Sequence, residues 1–134
     1  MARVDRLDHL VLTVRSIEAT CDFYSRVLGM TPKTFDGRRW ALHFGSQKIN
    51  LHQAGREFEP RATVPTPGSA DLCFIVSTPL QDVMAHLREC GVDLIEGPVP
   101  REGARGTMES VYLRDPDGNL LELSNYVERP ASAG

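Results

Sequence analysis

The stretch HLVLTVRSIEATCDFYSRVLGM, residues 9–30, decides the fold because its periodicity changes part-way along. Its first six residues alternate between an apolar face and a mixed face, which is typical of a strand. From Ser16, a good helix N-cap, apolar residues recur at helical spacing until Gly29, a common helix stop. The stretch therefore predicts a strand followed by a helix that covers the strand's apolar face.

The same pattern returns 62 residues later. DLCFIV at 71–76 is again an alternating strand, and Thr78 is expected to cap a second helix with Pro79 at its first position. Gly91 ends this helix as Gly29 ends the first. An internal repeat of this size predicts two copies of one supersecondary unit.

The strands that follow each helix also correspond. They are RRWALHFG (38–45) and KINLHQ (48–53) in the first copy, and ESVYLRD (109–115) and NLLELS (119–124) in the second. A weaker strand is expected in each copy, near 33–36 and near 93–97. Each copy therefore reads as βαβββ, and the fold class is α+β.

The chain is expected to form one domain, since 134 residues suffice for a single compact core. Its two modules span 5–53 and 70–126, the linker spans 54–69, and 127–134 form a tail. The Gly- and Pro-rich stretch 97–107 is expected to be an irregular loop inside the second module.

Composition excludes several classes of protein. The net charge is −3 and the basic residues are scattered, so neither a nucleic-acid surface nor a membrane surface is predicted. The chain has no long apolar run, and its N-terminus lacks the apolar core of a signal peptide. The three cysteines lack metal-site spacing and are expected to be reduced thiols of a cytoplasmic protein.

Strand parity places the candidate chemistry on one side of the predicted sheets, opposite the helices. The residues on that side are His9, His43, Asn50, His52, Asp71, Tyr112, Glu122 and Ser124. Alternation of this kind is also typical of a sheet face exposed to water. Against this, Val11 and Cys73 share the polar face, which favours partial burial. Buried His, Asp and Glu side chains in one place need a cation or each other.

Three motifs carry a resemblance to a known family. LDHLVLTV (7–14), FYSRVLGM (23–30) and YLRDPDGNLLEL (112–123) are similar to the vicinal oxygen chelate superfamily. This superfamily includes glyoxalase I, extradiol dioxygenases, fosfomycin-resistance proteins and bleomycin-binding proteins. The likeness covers about residues 5 to 126. It implies two tandem βαβββ modules forming a curled eight-stranded mixed sheet around a cleft.

The resemblance also implies a metal site, with ligands on the first and last strand of each module. The implied ligands are His9, Asp71 and Glu122, although Asp71 stands where a second histidine is common. Asn50 occupies the fourth position, where glyoxalase I has a glutamate. A nitrogen–oxygen ligand set suits Zn, Mn, Fe, Ni or Co without selecting one.

The remaining candidate roles concern catalysis and substrate binding. Glu122 and His52 are the candidate bases. The candidate substrate-binding residues are Tyr112, His43, Asn50, Arg101 and Arg105; His43 is taken as the repeat partner of Tyr112. The two arginines can clamp an anionic group, or they can be solvated side chains of a loop.

The resemblance favours a small metal-dependent lyase or isomerase acting on a substrate with neighbouring oxygens. Two alternatives remain open at this point. One is a metal-free, bleomycin-resistance-type protein that sequesters a small molecule; the other is an extradiol-type dioxygenase. In each case a small-molecule partner and a homodimer are expected.

Overall fold

The computed structural model describes residues 1–127, which form eight strands and two helices. The elements are β1 (His9–Val14), α1 (Ile17–Leu28), β2 (Thr31–Phe35), β3 (Arg39–Phe44), β4 (Gln47–Gln53), β5 (Asp71–Ile75), α2 (Leu80–Glu89), β6 (Glu96–Gly103), β7 (Gly106–Arg114) and β8 (Leu120–Tyr126). The predicted α+β class and the tandem βαβββ modules are confirmed. The tail predicted at 127–134 lies, from residue 128 on, outside the described residues.

The eight strands are divided between two four-stranded mixed sheets, one in each module. Their strand orders are β1-β4-β3-β2 and β5-β8-β7-β6. In each sheet the first strand runs parallel to its neighbour, and the other pairs are antiparallel. The described residues divide into two compact units: residues 1–70 with Pro116–Gly118, and residues 71–115 with 119–127.

Local signals set both ends of α1, as predicted. The hydroxyl of Ser16 accepts a hydrogen bond from the backbone N–H of Ala19 at 3.1 Å. Gly29 closes the helix with φ 68°, a left-handed conformation that glycine adopts without strain. Phe23 and Tyr24 are buried on the helix, and Leu12, Leu42 and Leu51 are among the apolar residues buried on the sheet. The sheet's other face is therefore available for polar groups.

A residue distant in sequence caps α2. The N-cap position is Pro79, and it offers no side-chain hydrogen bond. The Oδ1 atom of Asn125, in β8, instead accepts the backbone N–H of Leu80 at 2.9 Å. The Nδ2 atom of Asn125 donates to the carbonyls of Val76 and Thr78, at 3.0 Å each. The predicted capping role of Thr78 is wrong, because Thr78 precedes the N-cap by one residue.

The stretch 97–107 is also not the irregular loop that its composition predicts. Most of it lies in the antiparallel hairpin of β6 and β7. β6 is the edge strand of its sheet, where Pro98 and Pro100 can be accommodated. A register shift between Glu96 and Val99 absorbs the irregularity.

Two further observations concern the helices and the cysteines. Neither helix in residues 1–127 has the length and apolar character needed to cross a bilayer. The three cysteines form no disulfide among the described residues.

Candidate functional site

Glu122 occupies the polar face of the second sheet, where neighbouring strands hold its carboxylate. It lies on β8 directly opposite Tyr112 of β7. The hydroxyl of Ser110 donates to Glu122 Oε2 at 2.6 Å. Ser124 Oγ lies 2.7 Å from Ser110 Oγ, and because Ser110 uses its one proton on Glu122, Ser124 is the donor between them. Both serines are fully buried, so they fix the orientation of the carboxylate.

Tyr112 is held in turn by Arg101, whose Nε donates to the phenolic oxygen at 2.9 Å. The same guanidinium lies 3.4 Å from Glu96 through Nη2 and contacts the Tyr112 ring, with its carbon 5.4 Å from the ring centroid. Burial raises the pKa of Tyr112, and the hydrogen bond from Arg101 opposes this. The negative charge of Glu122 and the hydrogen-bond interaction with its carboxylate both raise the pKa further. Tyr112 is therefore a neutral phenol at physiological pH, and its own proton can be donated.

The two candidate arginines lie in different parts of the β6–β7 hairpin and contact different residues. Arg101 lies within β6 and reaches Tyr112, so its predicted place in a loop is wrong. Arg105 lies in the turn between β6 and β7, where its backbone N–H donates to the hydroxyl of Tyr126 at 3.2 Å. Its guanidinium carbon lies 5.8 Å from the Tyr126 ring centroid. Of the two, Arg101 contacts a predicted site residue.

Asp71 and His9 begin equivalent strands. Asp71, the first residue of β5, is exposed and lies opposite Leu120. His9, the first residue of β1, is also exposed, and its Nδ1 lies 2.8 Å from the carboxylate of Asp8. The hydrogen bond with His9 lowers the pKa of Asp8. With Nδ1 engaged by Asp8, the Nε2 atom of His9 is the one left for a ligand.

Asn50 and His52 lie on the polar face of the first sheet. The Oδ1 atom of Asn50 is buried and has no hydrogen-bond partner. His52 is also buried, with its ring centroid 5.7 Å from that of Phe58 in an edge-on contact. Burial lowers the pKa of His52, and the charge of Arg39 lowers it further. His52 is therefore neutral at physiological pH.

The strand register shows that the predicted repeat partner of Tyr112 is wrong. Ala41 lies opposite Asn50 in the first sheet, just as Tyr112 lies opposite Glu122 in the second. Ala41, and not His43, is therefore the repeat partner of Tyr112. His43 is half-buried and pairs with Lys48.

The residues present offer parts of a metal site. The pair of Asp8 and His9 resembles the carboxylate–histidine arrangement that orients metal-bound imidazoles, and Ser110 orients the Glu122 carboxylate similarly. Within residues 1–127, no three His, Cys, Asp or Glu side chains are grouped closely enough to hold one ion. The ligand set of His9, Asp71 and Glu122 therefore stays a prediction.

Several residues that contact or lie near the candidate site residues were absent from the sequence prediction. Ser110 carries a detectable signal, because it lies two residues before Tyr112 on the same strand and so shares its face. Arg39 also carries a signal, because it shares the strand parity of His43 on β3. Phe58 lies in the linker, where no periodicity relates it to His52.

Comparisons with known proteins agree with this architecture. Residues 6–123 match the family described as the Glyoxalase/Bleomycin resistance protein/Dioxygenase superfamily. The chain is 59% identical to virulence protein STM3117 of Salmonella typhimurium over 124 residues, which cover 92% of this chain and 86% of that protein. It is 56% identical to glyoxalase domain-containing protein RDO1 of Mycosarcoma maydis, covering 92% of this chain and 69% of that protein.

A solved structure shows the same fold. The crystal structure of the Salmonella protein superposes with a TM-score of 0.93 at 58% identity, covering 94% of this chain and all of that one.

Proposed function

Because the chain belongs to the glyoxalase/bleomycin resistance protein/dioxygenase superfamily, we propose that it is an enzyme that moves a proton on a small oxygen-bearing substrate. The reaction class is isomerase or lyase. The observation that carries this proposal is the cross-strand pair of Tyr112 and Glu122, each held by a further polar side chain. The pair combines a fixed carboxylate with a fixed neutral phenol.

The two groups have complementary roles. The Glu122 carboxylate takes a proton from the carbon next to a substrate oxygen. The O–H of Tyr112 donates a hydrogen bond to that oxygen as negative charge develops on it. Since Arg101 already donates to the phenolic oxygen, the Tyr112 proton is left for an acceptor, which is the neighbouring Glu122 carboxylate or, in the complex, the substrate oxygen. Directly opposite side chains on antiparallel strands have Cβ atoms about 5 Å apart, close enough to act on neighbouring atoms of one molecule.

A divalent metal, when bound, would stabilise the same oxyanion as a Lewis acid. The proposed ligands are His9, Asp71 and Glu122, with Zn, Mn, Fe, Ni or Co as the candidate ions. The hydrogen bond between His9 and Asp8 supports this assignment, because it leaves Nε2 for coordination. Asp71 in place of a histidine favours lyase or isomerase chemistry over the dioxygenase, whose ligands are two histidines and a carboxylate.

Proton exchange tests the reaction. A panel of α-hydroxy ketones is incubated with the protein in deuterated buffer, with and without added Mn, Fe, Ni or Zn, and followed by proton NMR. We expect the wild-type protein to exchange the carbon-bound proton, Glu122→Gln to abolish the exchange and Tyr112→Phe to slow it roughly 10- to 100-fold. Glu109→Gln, an exposed carboxylate elsewhere on β7, is the matched control. Exchange that survives in the Glu122 variant contradicts the proposal.

Metal content tests the ligand set separately. The protein is purified without chelator or metal affinity resin and measured by elemental mass spectrometry. We expect His9→Ala and Glu122→Gln to lose the metal held by the wild-type protein. Stoichiometric metal in both variants would remove these residues from the ligand set.

A second candidate function is a metal-free protein that binds a small molecule. The observation favouring it is Asn50, whose buried Oδ1 lacks a partner and is suited to accept a hydrogen bond from a ligand. A thermal-shift screen against small molecules distinguishes the two functions, because binding of this kind survives Glu122→Gln. The homodimer also stays a prediction, and light scattering of the eluted protein checks it.

A further inference from the structure

Two arginines and a histidine surround one aromatic ring in the first unit. The guanidinium carbon of Arg39 lies 4.2 Å from the centroid of Phe58, and that of Arg38 lies 5.0 Å from it. The ring of His52 approaches the same ring edge-on at 5.7 Å, with an interplanar angle of 73°. Three nitrogen-rich groups therefore share one small region, which we call the Phe58 cluster: Arg38, Arg39, His52 and Phe58.

Neither guanidinium of this cluster forms an ion pair within residues 1–127, although the negative charges of Glu57 and Glu59 act on the neighbouring His52. No carboxylate within residues 1–127 comes within 4.0 Å of either guanidinium. Nearby Glu59 is engaged by Arg61 at 3.0 Å. Two guanidinium groups held around one ring repel each other, and contact with the ring offsets only part of this repulsion. An anion placed beside both would be attracted by the pair, and arginine is the side chain best suited to bind planar oxyanions.

Polar groups without partners lie next to these charges. His52 is only 7% exposed, and neither of its ring nitrogens makes a hydrogen bond within the described residues. Asn50, two residues earlier on the same face of β4, has the buried Oδ1 described above. Buried polar atoms are nearly always hydrogen-bonded, so the buried Oδ1 atom of Asn50 calls for a donor. The ring nitrogens of His52 are reached by solvent and are therefore open to a ligand. The amide oxygen needs a donor, and a neutral imidazole supplies one donor and one acceptor.

We propose that the Phe58 cluster and Asn50 form a binding site for a small organic anion that also carries a hydroxyl group. The two guanidiniums hold the carboxylate or phosphate of the ligand. Its hydroxyl donates to Asn50 Oδ1, and His52 contacts either group. All five residues belong to the first unit, so the site does not depend on the proton-transfer chemistry assigned to Glu122 and Tyr112.

Binding of three simple anions tests the site on the full chain. Glycolate, acetate and inorganic phosphate are titrated separately while nitrogen–proton correlation NMR spectra are recorded. We expect saturable shifts that include the signals of His52 and the Asn50 side chain. Glycolate should bind several-fold more tightly than acetate, because only glycolate has the hydroxyl. Saturation by none of the three anions overturns the proposal.

Substitutions then assign the contacts. Arg39→Gln and Arg38→Gln should each weaken glycolate binding roughly tenfold, as expected for loss of a charge-assisted hydrogen bond. Arg56→Gln, which removes an exposed charge of the same unit, should leave it unchanged. Asn50→Leu should abolish the preference for glycolate over acetate while retaining acetate binding. Equal weakening by all three arginine variants indicates a general charge effect and overturns the site, as does a preference that survives in Asn50→Leu. The spectra themselves report whether each variant is folded.

Discussion

Replacing Asn125 with alanine tests how the second helix is stabilised. The substitution removes three hydrogen bonds, one to the N–H of Leu80 and two to carbonyls ahead of the helix. A hydrogen bond contributes about 0.5–1.5 kcal/mol net, and partly exposed bonds fall in the lower half of this range. We therefore expect Asn125→Ala to lower the free energy of unfolding by about 1.5–3 kcal/mol.

Two further variants sharpen the comparison. Ser16→Ala removes the single capping bond of the first helix and should lower the free energy of unfolding by about 1 kcal/mol. Asn125→Asp retains an acceptor for Leu80 but faces two carbonyls with a carboxylate in place of a donor. Its effect should therefore lie between the other two, since the negative charge at a helix N-terminus compensates in part.

Urea unfolding followed by far-ultraviolet circular dichroism measures all three variants. The order expected for the loss of stability is Asn125→Ala, Asn125→Asp, Ser16→Ala. If Asn125→Ala destabilised the protein no more than Ser16→Ala, Asn125 would not be the cap of the second helix.

Two other predictions concern backbone space and pH. At Gly97, with φ 116°, a Cβ atom would lie 2.5 Å from the carbonyl oxygen of Ser110, so Gly97→Ala should lower the free energy of unfolding by about 3 kcal/mol or more. Gly37 has φ 72° but open space around it, so Gly37→Ala should lower the free energy of unfolding by about 1 kcal/mol. Equal losses of stability for the two variants in urea unfolding would refute the steric argument. Folding lowers the pKa of His52 from its ordinary value of 6.5, so the folded protein favours the neutral imidazole. The resulting contribution to stability is fully present above pH 6.5 and is lost as the pH falls from 6.5 toward the pKa of the folded state. The wild-type protein should therefore lose more unfolding free energy than His52→Gln between about pH 7.5 and pH 5.5, and parallel losses would count against a buried neutral His52.

Sequence reasoning predicts this fold well where the signals are local. Ser16 and Gly29 bracket the first helix by side-chain capping and left-handed geometry, both of which are visible within a few residues. The start of the second helix depends on Asn125, which is 45 residues from Leu80, and no local pattern reports such a partner. The strand expected near 93–97 lies instead at Glu96–Gly103, because glycine and proline content predicts a loop there, whereas an edge strand tolerates both.

The candidate site was also predictable only where a local sequence pattern determines the structure. Alternation correctly placed Glu122 and Tyr112 on one face, because the period of a strand is set by its backbone. Alternation could not predict the Phe58 cluster, because Phe58 lies in a linker that has no regular alternation of residues. The equivalence of His43 and Tyr112 failed for a related reason: matching the halves by motif does not give the register, which the lengths of the intervening hairpins determine.

The register pairing of Ala41 with Asn50 also limits how far the halves can be interchanged. An engineer who wished to copy the acid–phenol pair into the first module would need tyrosine at 41 and glutamate at 50. Ala41 is completely buried, so a phenol ring there would overpack its surroundings by many atoms. A single substitution therefore cannot copy the pair into the first module, which would have to be repacked around that position.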